Sequence, residues 1–166
     1  MSRLLLTMLL VSAAFPSSAA EGGGVFGQGR THFSLVSGNG NAFNHNYLVV
    51  GASASYYALD GLGVGLSFEN WSGADPAVTK YAPFVQYVFY QVPEVQPYVS
   101  GYYRHTSVSG LPNIDSAGIR AGIYYASGPN AYVSVGMVYE SYLNCKDTIY
   151  NSCSSTYPDI SLTVAF

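Results

Sequence analysis

Asp159-Ile160-Ser161-Leu162-Thr163-Val164-Ala165-Phe166 alternates without a break. Ile160, Leu162, Val164 and Phe166 are apolar, and Asp159, Ser161, Thr163 and Ala165 between them are polar or small. Successive side chains of a strand point to opposite faces, so a period of two makes a β-strand with one apolar face. Seven more stretches obey the same rule. Going back along the chain, the apolar members are Val133–Tyr139, Ala117–Tyr125, Val99–Tyr103, Tyr81–Phe89, Leu62–Phe68, Leu48–Tyr56 and Phe33–Leu35, each taken at every second residue. Tyr81–Phe89 is the least regular, because Phe84 and Val88 put apolar groups on its second face as well.

The joints between these stretches take turns in kind. Asp60-Gly61, Pro93-Glu94-Val95 and Gly128-Pro129-Asn130 are tight-turn chemistry. Between them lie longer polar stretches at 39–46, 72–79, 106–115 and 143–156. Eight strands with short turns at one end and longer loops at the other predict an all-β fold, an eight-stranded antiparallel up-and-down barrel. The outer-membrane arrangement puts the short turns in the periplasm and the loops outside.

Composition decides which way the barrel faces. Charged residues make up 9% of the 166-residue chain, hydrophobic ones 49% and aromatic ones 15%, against about 25% charged in a typical soluble domain. Disorder, which needs high charge and few aromatics, is excluded. With six Lys and Arg and a net charge of −3, nucleic-acid binding is excluded too. The second face of the strands is Gly, Ser, Thr and nearly all the strand charges, too polar for a dry core. The other face is almost uncharged, and in water so apolar a surface would aggregate. The pattern therefore predicts a transmembrane β-barrel, closed because hydrocarbon offers no partner to an open sheet edge. Past residue 20 there is no apolar run of eighteen or more, so no membrane-spanning helix is expected.

Residues 1–20 read as a signal peptide: Arg3 gives the basic start, Leu4–Val11 the apolar stretch, and Ser18-Ala19-Ala20 the small residues before cleavage. Gly22, Gly24 and Gly27 then spell G-x-G-x-x-G, but neither a strand before nor a helix after it supports a dinucleotide loop, so 21–28 is expected to be a flexible leader. The barrel domain is expected over 29–166. Cys145 and Cys153 lie eight apart in a polar stretch. In an oxidising exported setting they predict a disulfide closing a surface loop after strand seven. His32, His45 and His105 are too scattered to complete a metal site with them.

On Ile160, Leu162, Val164 and the final Phe166, the chain resembles the small eight-stranded bacterial outer-membrane barrels, the OmpX-like and OmpA-membrane-domain-like family, over about residues 29–166. The resemblance implies that these four residues are the signal read by the barrel-assembly machinery, and that the protein resides in the bacterial outer membrane among its lipids.

Six charges fall on the inward face: Glu69, Lys80, Arg104, Arg120, Glu140 and Asp159. Strand direction gathers them in the outer half of the barrel. A selectivity ring or ligand site is one reading. A salt-bridged plug is the preferred one, because eight strands leave an interior just wide enough for side chains and unpaired charges there are costly. Glu69–Lys80 and Arg120–Glu140 are the expected neighbours. Inward glycines (Gly51, Gly63, Gly65, Gly118, Gly122, Gly136) fit the narrow bore. Tyr56, Tyr81 and Tyr125 fit an interfacial girdle, while Tyr57, Tyr98, Tyr102 and Tyr124 are expected inside.

Catalytic signatures are missing, P-loop, H-E-x-x-H and G-x-S-x-G among them. His105-Thr106-Ser107 with Asp115 is the one arrangement to weigh, since it is similar to the His-x-Ser of outer-membrane lipid A deacylases. It lies two strands too early, however, and lacks that family's glutamate. The sequence thus predicts a non-enzymatic outer-membrane protein without cofactor or metal, whose surface loops could meet an extracellular partner. A narrow channel and a lipid A-modifying hydrolase are the alternatives.

Overall fold

Each alternating stretch forms a strand, and most run further than their pattern marks: β1 (Thr31–Ala42), β2 (His45–Leu59), β3 (Leu62–Ser72), β4 (Val78–Val88), β5 (Val95–Val108), β6 (Ile114–Ala126), β7 (Ala131–Tyr142) and β8 (Ser154–Ala165). The computed structural model describes residues 24–42, 45–92, 94–143, 145 and 153–166. The signal-peptide expectation and the first residues of the leader lie outside them. The strands pair in chain order, all antiparallel, and β8 returns to β1 to close the barrel. Among the described residues no helix is long and apolar enough to cross a membrane.

Alternation converts directly into facing. Leu35 and Ile160 are each 63% exposed and Leu66 56%, whereas Tyr57, Val88 and Val138 are fully buried. A water-soluble barrel would show the opposite assignment, so the outer wall is a lipid-facing one. Tyr56, Tyr81 and Tyr125 stand on that wall, and Tyr57, Tyr98, Tyr102 and Tyr124 are buried inside. The inward glycines make room for rings. A methyl group at Gly118 would stand 2.5 Å from the Tyr102 ring, and one at Gly136 would stand 2.8 Å from the Tyr98 hydroxyl.

Two expectations are corrected. The first is the long loop at 39–46. There β1 and β2 stay in register through Gly40↔Tyr47 and Asn41↔Asn46 to Ala42↔His45, leaving a two-residue connection. Polar Gly/Asn composition suggested a loop, but the ladder to β2 carries the strand through it. The second is the flexible leader. Gly24–Phe26 form a 3-10 turn that enters the barrel's turn end, and Phe26 is 2% exposed. Tyr57, Tyr124, Tyr132 and His32 surround its ring at centroid distances of 5.1–5.7 Å.

Closure is uneven. β1 and β8 pair only from His32↔Ala165 to Leu35↔Leu162. Just below that ladder, Phe166 and Thr31 exchange two backbone hydrogen bonds of 2.9 and 3.2 Å.

Candidate functional site in the barrel lumen

From the turn end upward, the lumen is built in layers. The lowest is the aromatic stopper around Phe26, locked by the His32 ring N–H, which donates to the Val25 carbonyl at 2.9 Å. Above it the Gln86 amide donates to the Tyr57 hydroxyl at 3.0 Å and accepts from the Tyr124 hydroxyl at 3.2 Å. Hydroxyl pairs Ser34–Thr163 and Ser134–Ser161, each 2.7 Å apart, fill the next layer. Both pairs join neighbouring strands of the closed ring, β1 to β8 and β7 to β8.

The charged layer comes next. Arg104 is 3% exposed and reaches across the lumen. Its Nη1 donates to Glu140 Oε2 at 2.7 Å and to the Tyr157 hydroxyl at 2.8 Å, and its Nη2 stands 3.5 Å from Glu69 Oε1. Ser116 and Tyr157 both donate to Glu140. Arg120 pairs separately with Asp159 at 3.3 Å. A buried carboxylate with an arginine and two hydroxyls is fully engaged, the condition under which a buried ion pair is tolerated.

The partners differ from those expected. Glu69 and Lys80 are opposite one another in the β3–β4 register, yet Glu69 turns to Arg104, while Lys80 lies 3.9 Å over the Trp71 ring. Arg120 goes to Asp159 on β8 rather than to Glu140. Among the described residues Lys80 is the one of the six without an ion pair. Tyr157 and Ser116, which complete the Glu140 site, were missed by a reading that looked for charges; their inward parity was the available signal.

Above the Arg104 layer the lumen opens into a vestibule of about 400 Å³, lined by Glu69, Trp71, Lys80, Glu140, Tyr142 and Asp159 together with further residues of β1, β2 and β8. On the outside wall near this end, His105 Nδ1 lies 2.6 Å from Asp115 Oδ1, both half-exposed. Among the described residues no hydrogen bond joins Ser107 to His105. The disulfide expectation is met: Cys145 and Cys153 are bonded, with Cα atoms 5.6 Å apart, between β7 and β8. The described residues hold no cluster of His, Cys, Asp and Glu able to bind a metal.

No protein-family profile matches the chain, and no curated protein matches it by sequence. Solved structures do. The N-terminal β-barrel domain of Pseudomonas aeruginosa OprF is similar at a TM-score of 0.66 and 17% identity, covering 84% of this chain and 99% of that one. Neisserial surface protein A is similar at a TM-score of 0.51 and 15% identity, over 82% and 95% of the two chains. At these identities the likeness establishes the fold, that of the small outer-membrane β-barrels.

Proposed function

We propose that the protein is a non-enzymatic integral protein of the bacterial outer membrane, a sealed barrel that mounts its loop end for contacts outside the cell. The observation that carries this reading is the double seal. Phe26 stops the turn end, and Arg104 with Glu140, Glu69 and Tyr157 bridges the bore nearer the loop end. An ion would have to displace the Glu140 carboxylate from Arg104, Ser116 and Tyr157 as well as a packed aromatic layer. The six inward charges therefore act as a plug, and what remains free to interact is the loop end. There the longest connection, between Tyr142 and Ser154, is held by a disulfide. Ile160, Leu162, Val164 and Phe166 present the alternation that the assembly machinery reads in such barrels, with outer-membrane lipid as the permanent partner.

Planar-bilayer recording tests the seal. Wild-type protein should show little or no steady conductance. A stable, ion-selective current abolished by charge reversal at Glu69 or Arg120 would make the protein a channel and overturn the plug.

A further inference from the structure

We infer that the vestibule is a binding site for a neutral polyhydroxyl compound, a sugar of one or two rings, held by Glu69 and Lys80. The inference rests on the reading that the bore is sealed beneath this cavity and that its loop end faces outside the cell. A volume of about 400 Å³ falls in the range of small-molecule sites, about 300–1,000 Å³. Its floor is the Arg104–Glu140 pair at 2.7 Å, so a guest that enters goes no further.

Charge fixes the first property of the guest. Glu69, Glu140 and Asp159 line the cavity with Lys80. Arg104 holds Glu69 and Glu140, and Arg120 holds Asp159. Together with Lys80, which lies in the fields of Glu69 and Glu140, the two arginines balance the three carboxylates. An ion of either sign gains no net attraction there and still gives up its hydration. One that broke a pair would leave a buried charge uncompensated. The guest is therefore neutral.

Hydrogen bonding fixes the second. Glu69 and Lys80 are directly opposite in the β3–β4 register, yet each is turned elsewhere. Among the described residues Glu69 is held by long contacts, 3.5 Å from Arg104 Nη2 and 3.4 Å from the Trp71 indole N–H. A well-formed bond spans roughly 2.7–3.2 Å, so the carboxylate is open to a closer donor. The Lys80 ammonium rests on the Trp71 ring at 3.9 Å, has no ion pair among the described residues and can only donate. An acceptor short of donors thus stands beside a donor short of acceptors. A hydroxyl does both at one oxygen, and neighbouring hydroxyls on a sugar ring can serve the two together. Trp71, Tyr142 and Tyr157 add ring surface for the C–H faces of such a molecule, which a cluster of waters would leave unused.

Saturation-transfer NMR tests this on the barrel reconstituted in zwitterionic lipid nanodiscs, with glucose, galactose and maltose as probes. Trp71, the sole tryptophan, lines the cavity and serves as a second reporter. At least one of the three sugars should show saturable transfer with a matching change in Trp71 emission, and its affinity should not depend on ionic strength. Lys80→Met, which keeps the stem and loses the donors, should weaken binding about tenfold, the worth of one hydrogen bond to a charged group. Ser155→Phe, which fills the cavity, should abolish it, and both variants should keep the heat-modifiable mobility of the folded barrel. Absence of saturable transfer from all three sugars, or transfer that both variants leave unchanged, would overturn the site and leave the vestibule to water. Glucosamine or glucuronate bound more tightly than glucose, with an affinity that falls as salt rises, would overturn it by making the guest an ion. Planar-bilayer recording separates the failures: a barrel that neither binds sugar nor conducts refutes the site alone, and a barrel that conducts refutes the seal beneath it.

Discussion

At the turn end an aromatic ring, Phe26, sits among Tyr57, Tyr124, Tyr132 and His32. Toward the loop end a guanidinium, Arg104, sits among Glu69, Glu140 and Tyr157. Both fill a bore of eight strands, yet they respond to damage differently. Truncating a ring removes contacts in proportion to its size and leaves a hole that neighbours partly fill. Truncating one member of the charged cluster leaves its partner buried and uncompensated. The seam repeats the contrast, because β1 and β8 are zipped at the turn end and parted above Leu35 and Leu162. The turn end holds the barrel shut.

The sharpest way to break that division is to attack the zipped end. Deleting Phe166 removes its two backbone hydrogen bonds with Thr31 and the ring set 5.9 Å from Phe33. The seam below the gap has only four register pairs to begin with. Folded, heat-modifiable protein in the outer membrane should fall to a small fraction of wild type, with degradation in the periplasm. Unchanged surface exposure would mean that the turn end does not set closure.

Next in size is Glu140→Ala, which strands Arg104 at 3% exposure without its 2.7 Å partner. Breaking a buried pair costs about 3–5 kcal/mol, so the unfolding midpoint in urea should drop sharply, while Asp75→Ala in the exposed 73–77 connection should barely move it. Equal shifts would deny that the charged layer is structural. Phe26→Ala should cost about 3 kcal/mol, the low end for a phenylalanine truncation, because a single turn at the mouth can resettle. It should not conduct by itself, since the charged layer still bridges the bore. Only the double variant with Glu140→Ala should pass current, and a current from Phe26→Ala alone would show that the seals are not independent.

These contrasts also mark what the sequence could say. Alternation placed all eight strands and turned Glu69, Lys80, Arg104, Arg120, Glu140 and Asp159 to one face, because facing is a local property of the backbone. It could not choose partners. Arg104 meets Glu140 from a strand two away, a reach set by the curvature of the closed wall. Phe26 gave little warning either: a lone aromatic in a glycine run reads as leader until a bore exists to receive it. The 39–46 stretch misled for the reverse reason, since Gly and Asn there are turn formers that β2 nonetheless pairs.

At the loop end the expected effects are smaller. Reducing Cys145–Cys153 releases a loop of about nine residues, for which the chain-entropy picture allows at most about 3 kcal/mol. That constraint lies outside the strands, so loop protease resistance should fall while the barrel's unfolding midpoint stays. A barrel that unfolds with reduction would join the two ends into one cooperative unit.

The smallest effect expected is none. His105 and Ser107 stand on the outer wall of β5, two residues apart and therefore on one face, and Asp115 holds His105 at 2.6 Å. A base with an orienting acid is two-thirds of a hydrolytic triad, but a nucleophile must be hydrogen-bonded to that base to be activated. Among the described residues no such bond from Ser107 exists. The pair instead joins β5 to β6 across their His105↔Asp115 register near the rim, where it steadies the hairpin beneath the 109–113 loop. His105→Ala and Ser107→Ala should thus leave the acyl chains of lipid A unchanged by mass spectrometry in cells expressing the protein. Loss of one acyl chain that depends on either residue would make the outer wall of the loop end an active site, and the loop half of the barrel a catalytic surface rather than a mount.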